Sequence, residues 1–115
     1  MAELTVQNVL LAGVVKAALV AATSTGDTFD NDGLTWVEIN NGGGSSITVT
    51  VTGQVNLQFL TSADQTVTVL ASGTQLIGPF PERFFNTDGS NEVSITYSDV
   101  TTVTVAAYSA KDVNA

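Results

Sequence analysis

Three aspartates close to residue 30 are the residues whose spacing could bind a metal ion. Asp27, Asp30 and Asp32 are followed directly by Gly33. Calcium prefers several clustered carboxylate oxygens, and an Asp-x-Asp-Gly turn can supply them. In the EF-hand pattern, however, the first ligand position falls on Thr28 and the twelfth on Ile39, so that pattern fails. We therefore predict no metal site. If calcium were to bind this chain, these three aspartates would be the candidate ligands.

Residues for catalysis are scarce. The chain has no Cys and no His, which removes thiol chemistry, Cys-type zinc sites and the commonest general base. A serine nucleophile would need a base such as Lys, and neither Lys lies near a plausible serine motif. The glycine run at residues 42–44 lacks the Lys and the helix start of a phosphate loop. We predict no enzymatic activity and no cofactor.

The charge balance excludes further classes of partner. Three basic residues stand against eleven acidic ones, which gives a net charge of −8. Nucleic-acid binding needs Lys and Arg to neutralise phosphates, and anionic membranes are disfavoured by the same sign. Charged residues make up only 12% of the chain, about half the usual fraction. Interface cores are depleted in charge, so this low density favours a protein that assembles.

The elements that must position these residues are strands. Seventeen Thr and sixteen Val make the chain rich in β-branched residues, which suit a pleated surface. Residues 47–52 alternate between branched apolar residues and threonine, and residues 66–69, 93–97 and 102–105 repeat the pattern. A period of two places Val and Ile inward and Thr outward. The pattern predicts an all-β fold of antiparallel strands.

Turn signals divide the chain into about seven or eight strands, the spacing of a jelly-roll-like β-sandwich. We predict a turn-rich connection over residues 23–33 and a strand over 35–40 with Val37 and Ile39 on one face and Trp36 and Glu38 on the other. Two prolines keep residues 80–85 from forming a central strand. The remaining predicted strands cover residues 47–52, 54–60, 67–70, 75–77, 93–97 and 102–108.

The most apolar run covers residues 9–22. It is too short for a bilayer span, which needs about twenty residues, and Lys16 interrupts it. Glu3 and the absence of early basic residues do not fit a signal peptide. The run is interpreted as a core element or as an arm against a partner, with its secondary structure left open. We therefore divide the single domain into an N-terminal arm or first strand (1–25), a sandwich (26–109) and a tail (110–115).

Aromatic residues offer two further interpretations. Trp36, Tyr97 and Tyr108 could form a platform for stacking sugars. Phe80, Phe84 and Phe85 around two prolines are first interpreted as a loop folded over the open end of the sandwich. Arg83 is the strong cation in that loop, and it could pair with a carboxylate nearby or on a neighbouring subunit.

Three segments carry a resemblance to a known family. GDTFDNDGLTWVEINNGGGSSITVTVTG (26–53), LIGPFP (76–81) and VSITYSDVTTVTVAAYS (93–109) resemble small capsid decoration, or cement, proteins of tailed bacteriophages. These proteins have a jelly-roll-like β-sandwich, and the similarity covers about the last three quarters of the chain. The phrases combine turns and strands and contain no catalytic signature.

The resemblance implies a structural virion protein on the outer capsid surface, made in the host cytoplasm. It would bridge subunits of the major capsid protein and form a homo-oligomer, with a trimer favoured and a dimer possible. The alternatives are a carbohydrate-recognition module and a tail or connector protein with a similar sandwich. Candidate interface residues lie in the apolar run and in the loop around Pro79 and Pro81, which we call the proline loop. They are Val9, Leu10, Leu11, Val14, Val15, Leu19, Phe80, Arg83 and Phe84.

Overall fold

A computed structural model describes residues 2–16, 18–53, 64–86 and 91–110. These residues form ten strands and one four-residue helical turn. The strands are β1 (Ala2–Glu3), β2 (Val6–Asn8), β3 (Val20–Ala21), β4 (Asp27–Asp30), β5 (Thr35–Asn41), β6 (Ile47–Val51), β7 (Gln65–Val69), β8 (Thr74–Ile77), β9 (Glu92–Tyr97) and β10 (Val103–Ser109), and the helical turn is α1 (Glu82–Phe85). No described helix is long and apolar enough to cross a membrane.

The strands form two sheets that face each other as a β-sandwich. The first sheet has the order β1-β4-β9-β6-β7, and the second has the order β2-β10-β5-β8 with β3 also paired to β10. The predicted all-β sandwich is therefore confirmed. Pairing is antiparallel except at β1–β4 and β2–β10, where short N-terminal strands add in parallel. These two additions and β3 bring the number of strands to ten.

The predicted alternation of inward and outward residues is present along the strands. In β5, Val37 and Ile39 are buried, while Trp36 and Glu38 are only half-buried on the outer face. Because alternate residues of both sheets point into the space between them, the core is built mainly from Val and Ile. Its members are Leu4, Phe29, Val37, Ile39, Ile47, Val49, Val51, Val69, Ile77, Phe80, Val93, Ile95, Val103, Val105 and Ala107.

The predicted turn-rich connection over residues 23–33 was wrong in part, because it contains β4. Asp27 and Phe29 of this strand are both buried and pair with β9. A buried aspartate and two polar neighbours conceal the apolar period that marks the other strands. The Asp32-Gly33 turn that follows is present, and Gly33 has a positive φ of 88°, which glycine adopts without steric cost.

The N-terminal segment joins both sheets. After β1, buried Leu4 crosses from the first sheet to the second, where β2 pairs with β10. Residues 9–19, where described, have no regular strand or helix, and the chain returns to β10 as β3. The sequence left the structure of the run at residues 9–22 open, and its described residues form a loop that leads into the short strand β3.

Some predictions lie outside the described residues. The strand predicted over residues 54–60 is one, and residues 111–115 of the predicted tail (110–115) are another. The proline loop is described. It leads into α1 rather than a strand, in agreement with the expectation that two prolines exclude a central strand.

Candidate functional site

Exposed apolar side chains concentrate in the loop between β2 and β3. Leu11 is 78% exposed and Val15 is 89% exposed, and Val14 is exposed as well. Val9, Leu10 and Leu19 from the same set of candidates are half-buried. We call residues 9–15 the apolar loop. Three of its large apolar side chains face solvent. Single exposed apolar residues are common on protein surfaces, but several close together are unusual.

Polar contacts hold the apolar loop against the second sheet. Lys16 Nζ lies 3.1 Å from Glu38 Oε1, and the Tyr108 hydroxyl donates to the same oxygen at 2.8 Å. Burial, and then the hydrogen bond to Glu38, raise the pKa of Tyr108 to about 12. The Gln7 amide also donates to the carbonyl of Val15. These contacts anchor the loop at its C-terminal end, a role that the sequence analysis did not assign to any of these residues.

The three aspartates proposed as calcium ligands do not converge. Asp27 is fully buried, and its Oδ2 accepts hydrogen bonds from the Tyr97 hydroxyl at 2.7 Å and the Thr23 N–H at 3.2 Å. Asp30 is exposed at the far end of β4. Asp32 lies in the following turn and has its own partners.

Asp32 fastens the β4–β5 turn to the end of β10. Its Oδ1 accepts from Leu34 N–H at 2.9 Å and from the Thr35 hydroxyl at 3.1 Å, and its Oδ2 accepts from the Ser109 hydroxyl at 2.8 Å. Partial burial alone would raise the pKa of Asp32, but these hydrogen bonds outweigh it and lower the pKa. Asp32 has a structural role that leaves little capacity for a cation.

Asp30 instead meets Glu3 and Glu92, two acids that sequence reasoning missed. Carboxylate oxygens of the three lie within 4.8 Å of one another. Asp30 and Glu92 are direct partners across β4 and β9, and Glu3 arrives through the parallel pairing of β1 with β4. Only the strand register brings them together, so no spacing in the sequence could have identified the group. Of the described residues, these three form the group that could share one cation.

Contacts within this acidic group shift the pKa of Glu92. A hydrogen bond with Glu3, followed by burial and the charges of Glu3 and Asp30, raises the pKa of Glu92 above its ordinary 4.5. The folded state therefore holds this proton more tightly than the unfolded state. Stability is lost as the pH rises from about 4.5 through the raised pKa.

Replacing Glu92 by glutamine is accordingly expected to raise the melting temperature near pH 7, by no more than about 2 °C because exposed charges are screened. The gain should disappear near pH 3.5. Thermal unfolding at both pH values measures it. Asp99→Asn is the matched control, since a hydrogen bond from Thr101 N–H lowers the pKa of Asp99. A gain for Asp99→Asn as large as for Glu92→Gln would contradict the local explanation.

The three aromatic residues of the sugar-platform hypothesis lie in two different places. Trp36 and Tyr108 are neighbours on β5 and β10, with ring centroids 5.8 Å apart, and Tyr108 is buried. Tyr97 belongs to the other sheet, where it binds Asp27. Burial and the Asp27 carboxylate raise its pKa well above the usual range. A flat surface of three stacked aromatics is not formed.

The proline loop closes one end of the core. The Phe80 ring is buried and lies between Phe29 and Phe85, at centroid distances of 5.7 and 5.6 Å. This matches the interpretation of a loop folded over the sandwich and leaves little of Phe80 for an external contact. Arg83 and Phe84 belong to α1, and their side chains lie outside the described part of the structure.

Comparisons with known proteins add no relative. No protein-family model, curated protein or solved structure matches the chain. The resemblance to decoration proteins therefore stays a prediction, based on the three segments quoted above.

Proposed function

We propose that the chain is a structural virion protein that decorates and stabilises the outer surface of a tailed-phage capsid by bridging major capsid subunits. The observation that carries the proposal is the apolar loop. It presents Leu11, Val14 and Val15 to solvent at the surface of the sandwich, and exposed apolar patches are typical of protein interaction sites.

The anchoring of the loop supports a docking role over a purely internal one. Lys16 and Gln7 make polar contacts at the C-terminal end of the loop, while the exposed side chains of Leu11 and Val15 contribute little burial to holding it in place. A loop that is already held in one conformation loses little entropy when it binds. Low charge density over the chain fits the same role.

Repetition would make weak contacts sufficient. The apolar loop alone offers a small area, and a single copy would bind a large partner weakly. A homo-oligomer, with a trimer favoured by the resemblance, would place several loops on one lattice at once. The combined affinity then exceeds that of each contact without any new contact type.

The test uses shells assembled from the major capsid protein of the same genome. Purified protein is expected to bind these shells and to raise their heat-denaturation temperature in calorimetry. Absence of binding to undecorated shells would overturn the proposal. If sedimentation analysis showed a monomer and shell binding remained complete, the homo-oligomer would no longer be part of the proposal.

A pair of double variants tests the apolar loop itself. Leu11→Asp with Val15→Asp is expected to weaken shell binding at least about tenfold, because buried unpaired carboxylates are costly. The control is Leu70→Asp with Leu76→Asp, which adds the same charge. Leu70 follows β7 and is 68% exposed, and Leu76 lies in β8 and is 65% exposed. β7 and β8 are the edge strands of the two sheets on the side away from β1 and β2. Equal binding by both double variants would exclude the apolar loop as the docking element.

A further inference from the structure

The end of β5 carries a chemically reactive pair of residues. Asn41 is followed by Gly42, and this is the single Asn-Gly pair of the chain. In such a pair the glycine nitrogen can attack the side-chain carbonyl carbon of the asparagine, because glycine has no Cβ to hinder the approach. A bond forms between Gly42 N and Asn41 Cγ, the bond from Cγ to Nδ2 breaks, and the proton of Gly42 N leaves with the ammonia. Water then opens the cyclic imide to aspartate or isoaspartate, which completes a deamidation.

The group that must leave is fixed in the folded chain. Asn41 is the last residue of β5 and is only 1% exposed. Its Nδ2 donates to the carbonyl oxygens of Ser45 at 2.8 Å, Val69 at 3.2 Å and Leu70 at 3.3 Å. Val69 ends β7, which belongs to the other sheet, so this amide joins the two sheets. Departure of ammonia would break all of these contacts.

The attacking nitrogen is engaged as well. Gly42 N–H donates to the carbonyl oxygen of Thr102 at 2.9 Å, and this hydrogen bond has to break before the nitrogen can lose its proton. Gly43 N–H donates to Asn41 Oδ1 at 3.0 Å, which holds the side-chain carbonyl in place. Partners from the loops after β5, β7 and β9 therefore hold both reacting groups.

Close packing requires the glycine that makes the pair reactive. A Cβ at residue 42 would lie 3.1 Å from the Thr102 carbonyl oxygen, and a Cβ at residue 43 would lie 3.1 Å from the Thr102 hydroxyl oxygen. A larger residue at either position would push the turn between β9 and β10 away from the end of β5. The Asn-Gly pair is thus a consequence of how this end of the sandwich is packed.

We propose that Asn41 is a deamidation site that the native fold keeps unreactive and that reacts when this end of the sandwich opens. Opening frees the side chain to rotate and releases Gly42 N–H to water. After refolding, a carboxylate at residue 41 would face the carbonyl oxygens that now accept from Nδ2, so the modified chain is less stable. Opening therefore has an irreversible consequence, and modified molecules open more often. The inference does not depend on the proposed capsid role.

Peptide mapping of the full chain by mass spectrometry tests the proposal. One sample is incubated in native buffer and one in urea above the unfolding midpoint, at the same mildly alkaline pH and temperature. Aspartate and isoaspartate at residue 41 are expected to form at least about tenfold more slowly in the native sample, because the reaction needs a sparsely populated open state. In urea, Asn41 should react before the other asparagines. Equal rates in the two samples, or earlier deamidation of another asparagine in urea, would overturn the proposal.

A matched pair of variants locates the opening. Val69→Ala and Val51→Ala each truncate a fully buried valine, the first beside the Asn41 amide and the second at the far end of β6. In native buffer, Val69→Ala is expected to speed deamidation at least about threefold more than Val51→Ala, because it weakens the packing around the acceptors. Equal acceleration in the two variants would overturn the assignment to this end of the sandwich, since global unfolding would then be the route.

Asn41→Asp reproduces one product of the reaction. It is expected to lower the melting temperature near pH 7 by about 10 °C or more, because a buried carboxylate replaces the amide donor. Asn40→Asp makes the same change in an exposed hydrogen bond to Thr74 and should lower it by no more than about 5 °C. Equal losses would overturn the predicted effect of the modification. If Asn41→Asp does not fold, the two rate comparisons still decide the proposal.

Discussion

Replacing Phe29 by alanine is expected to lower the free energy of unfolding by about 4 kcal/mol, the usual cost of truncating a buried phenylalanine. Phe29 is fully buried in β4 and packs against Phe80, with ring centroids 5.7 Å apart. The rings of Phe80 and Phe85 continue the contact across the end of the sandwich. A cavity at Phe29 would remove support from the proline loop as well as from β4. Urea unfolding followed by tryptophan fluorescence measures the loss.

Two controls separate cavity formation from a general effect of mutation. Leu76→Ala truncates a side chain that is 65% exposed in β8 and should change stability by less than about 0.5 kcal/mol. Phe29→Leu keeps most of the volume and should cost only about 1 kcal/mol. It also provides a folded variant if Phe29→Ala is too unstable to purify. An equal loss in Phe29→Ala and Leu76→Ala would contradict the packing described here.

The contact between Phe29 and Phe80 also predicts non-additivity. The loss in the double alanine variant should be smaller than the sum of the single losses by about 0.5–1.5 kcal/mol, the range for aromatic pairs in contact. Simple additivity would indicate that the two rings stabilise the core separately.

The sequence predicts a strand well where one face of that strand is buried and the other faces solvent. In β5, β6 and β10 buried Val and Ile residues recur at every second position over most of the strand, and the predicted bounds differ from the observed ones by only one residue at an end. These strands lie in the interior of the two sheets. Their burial is decided by the side chains themselves, which is what a pattern in the sequence records.

The N-terminal strands could not be predicted in that way. β1 and β2 are two and three residues long and pair in parallel with β4 and β10. Their side chains are exposed or half-buried, and backbone hydrogen bonds at a sheet edge hold them. Such pairing depends on a tertiary neighbour rather than on local residue type, so single-sequence reasoning does not detect it.

The candidate site was predicted only in outline. The sequence singles out residues 9–22 as its most apolar run, and the structure places Leu11, Val14 and Val15 of that run at the surface. Their anchors, Lys16 with Glu38, are twenty-two positions apart and meet only after the sandwich has formed. Long-range polar pairs of this kind leave no spacing rule in the sequence. The same holds for Asp27 with Tyr97.

Replacing Asn31 by aspartate is expected to destabilise the fold by about 3–5 kcal/mol near pH 7, the cost of a buried charge without its partner. Asn31 is buried in the turn after β4. Its amide Nδ2 donates to the carbonyl of Phe80 at 3.0 Å and to Asn86 Oδ1 at 2.8 Å, and Asn86 Nδ2 donates back to the Asn31 carbonyl. The substitution would replace two donated hydrogen bonds by contacts between oxygen atoms.

The loss in Asn31→Asp should depend on pH in a defined direction. Burial and the neighbouring oxygens would raise the pKa of the new carboxyl group, so the folded state would hold its proton more tightly than the unfolded state. Stability relative to the parent chain should therefore fall as the pH rises from about 4 and recover in part below that value, where a protonated carboxyl supplies one donor. Urea unfolding at several pH values measures this dependence.

Asn40→Asp is the matched control, because it makes the same chemical change on the outer face of β5. There the amide donates to the Thr74 hydroxyl in an exposed hydrogen bond, and water can solvate a new charge. Its cost should stay below about 1 kcal/mol. If Asn31→Asp cost no more than Asn40→Asp, the Asn31–Asn86 pair would not be what joins β4 to the proline loop. Closure of that end of the sandwich would then rest on the phenylalanine rings alone.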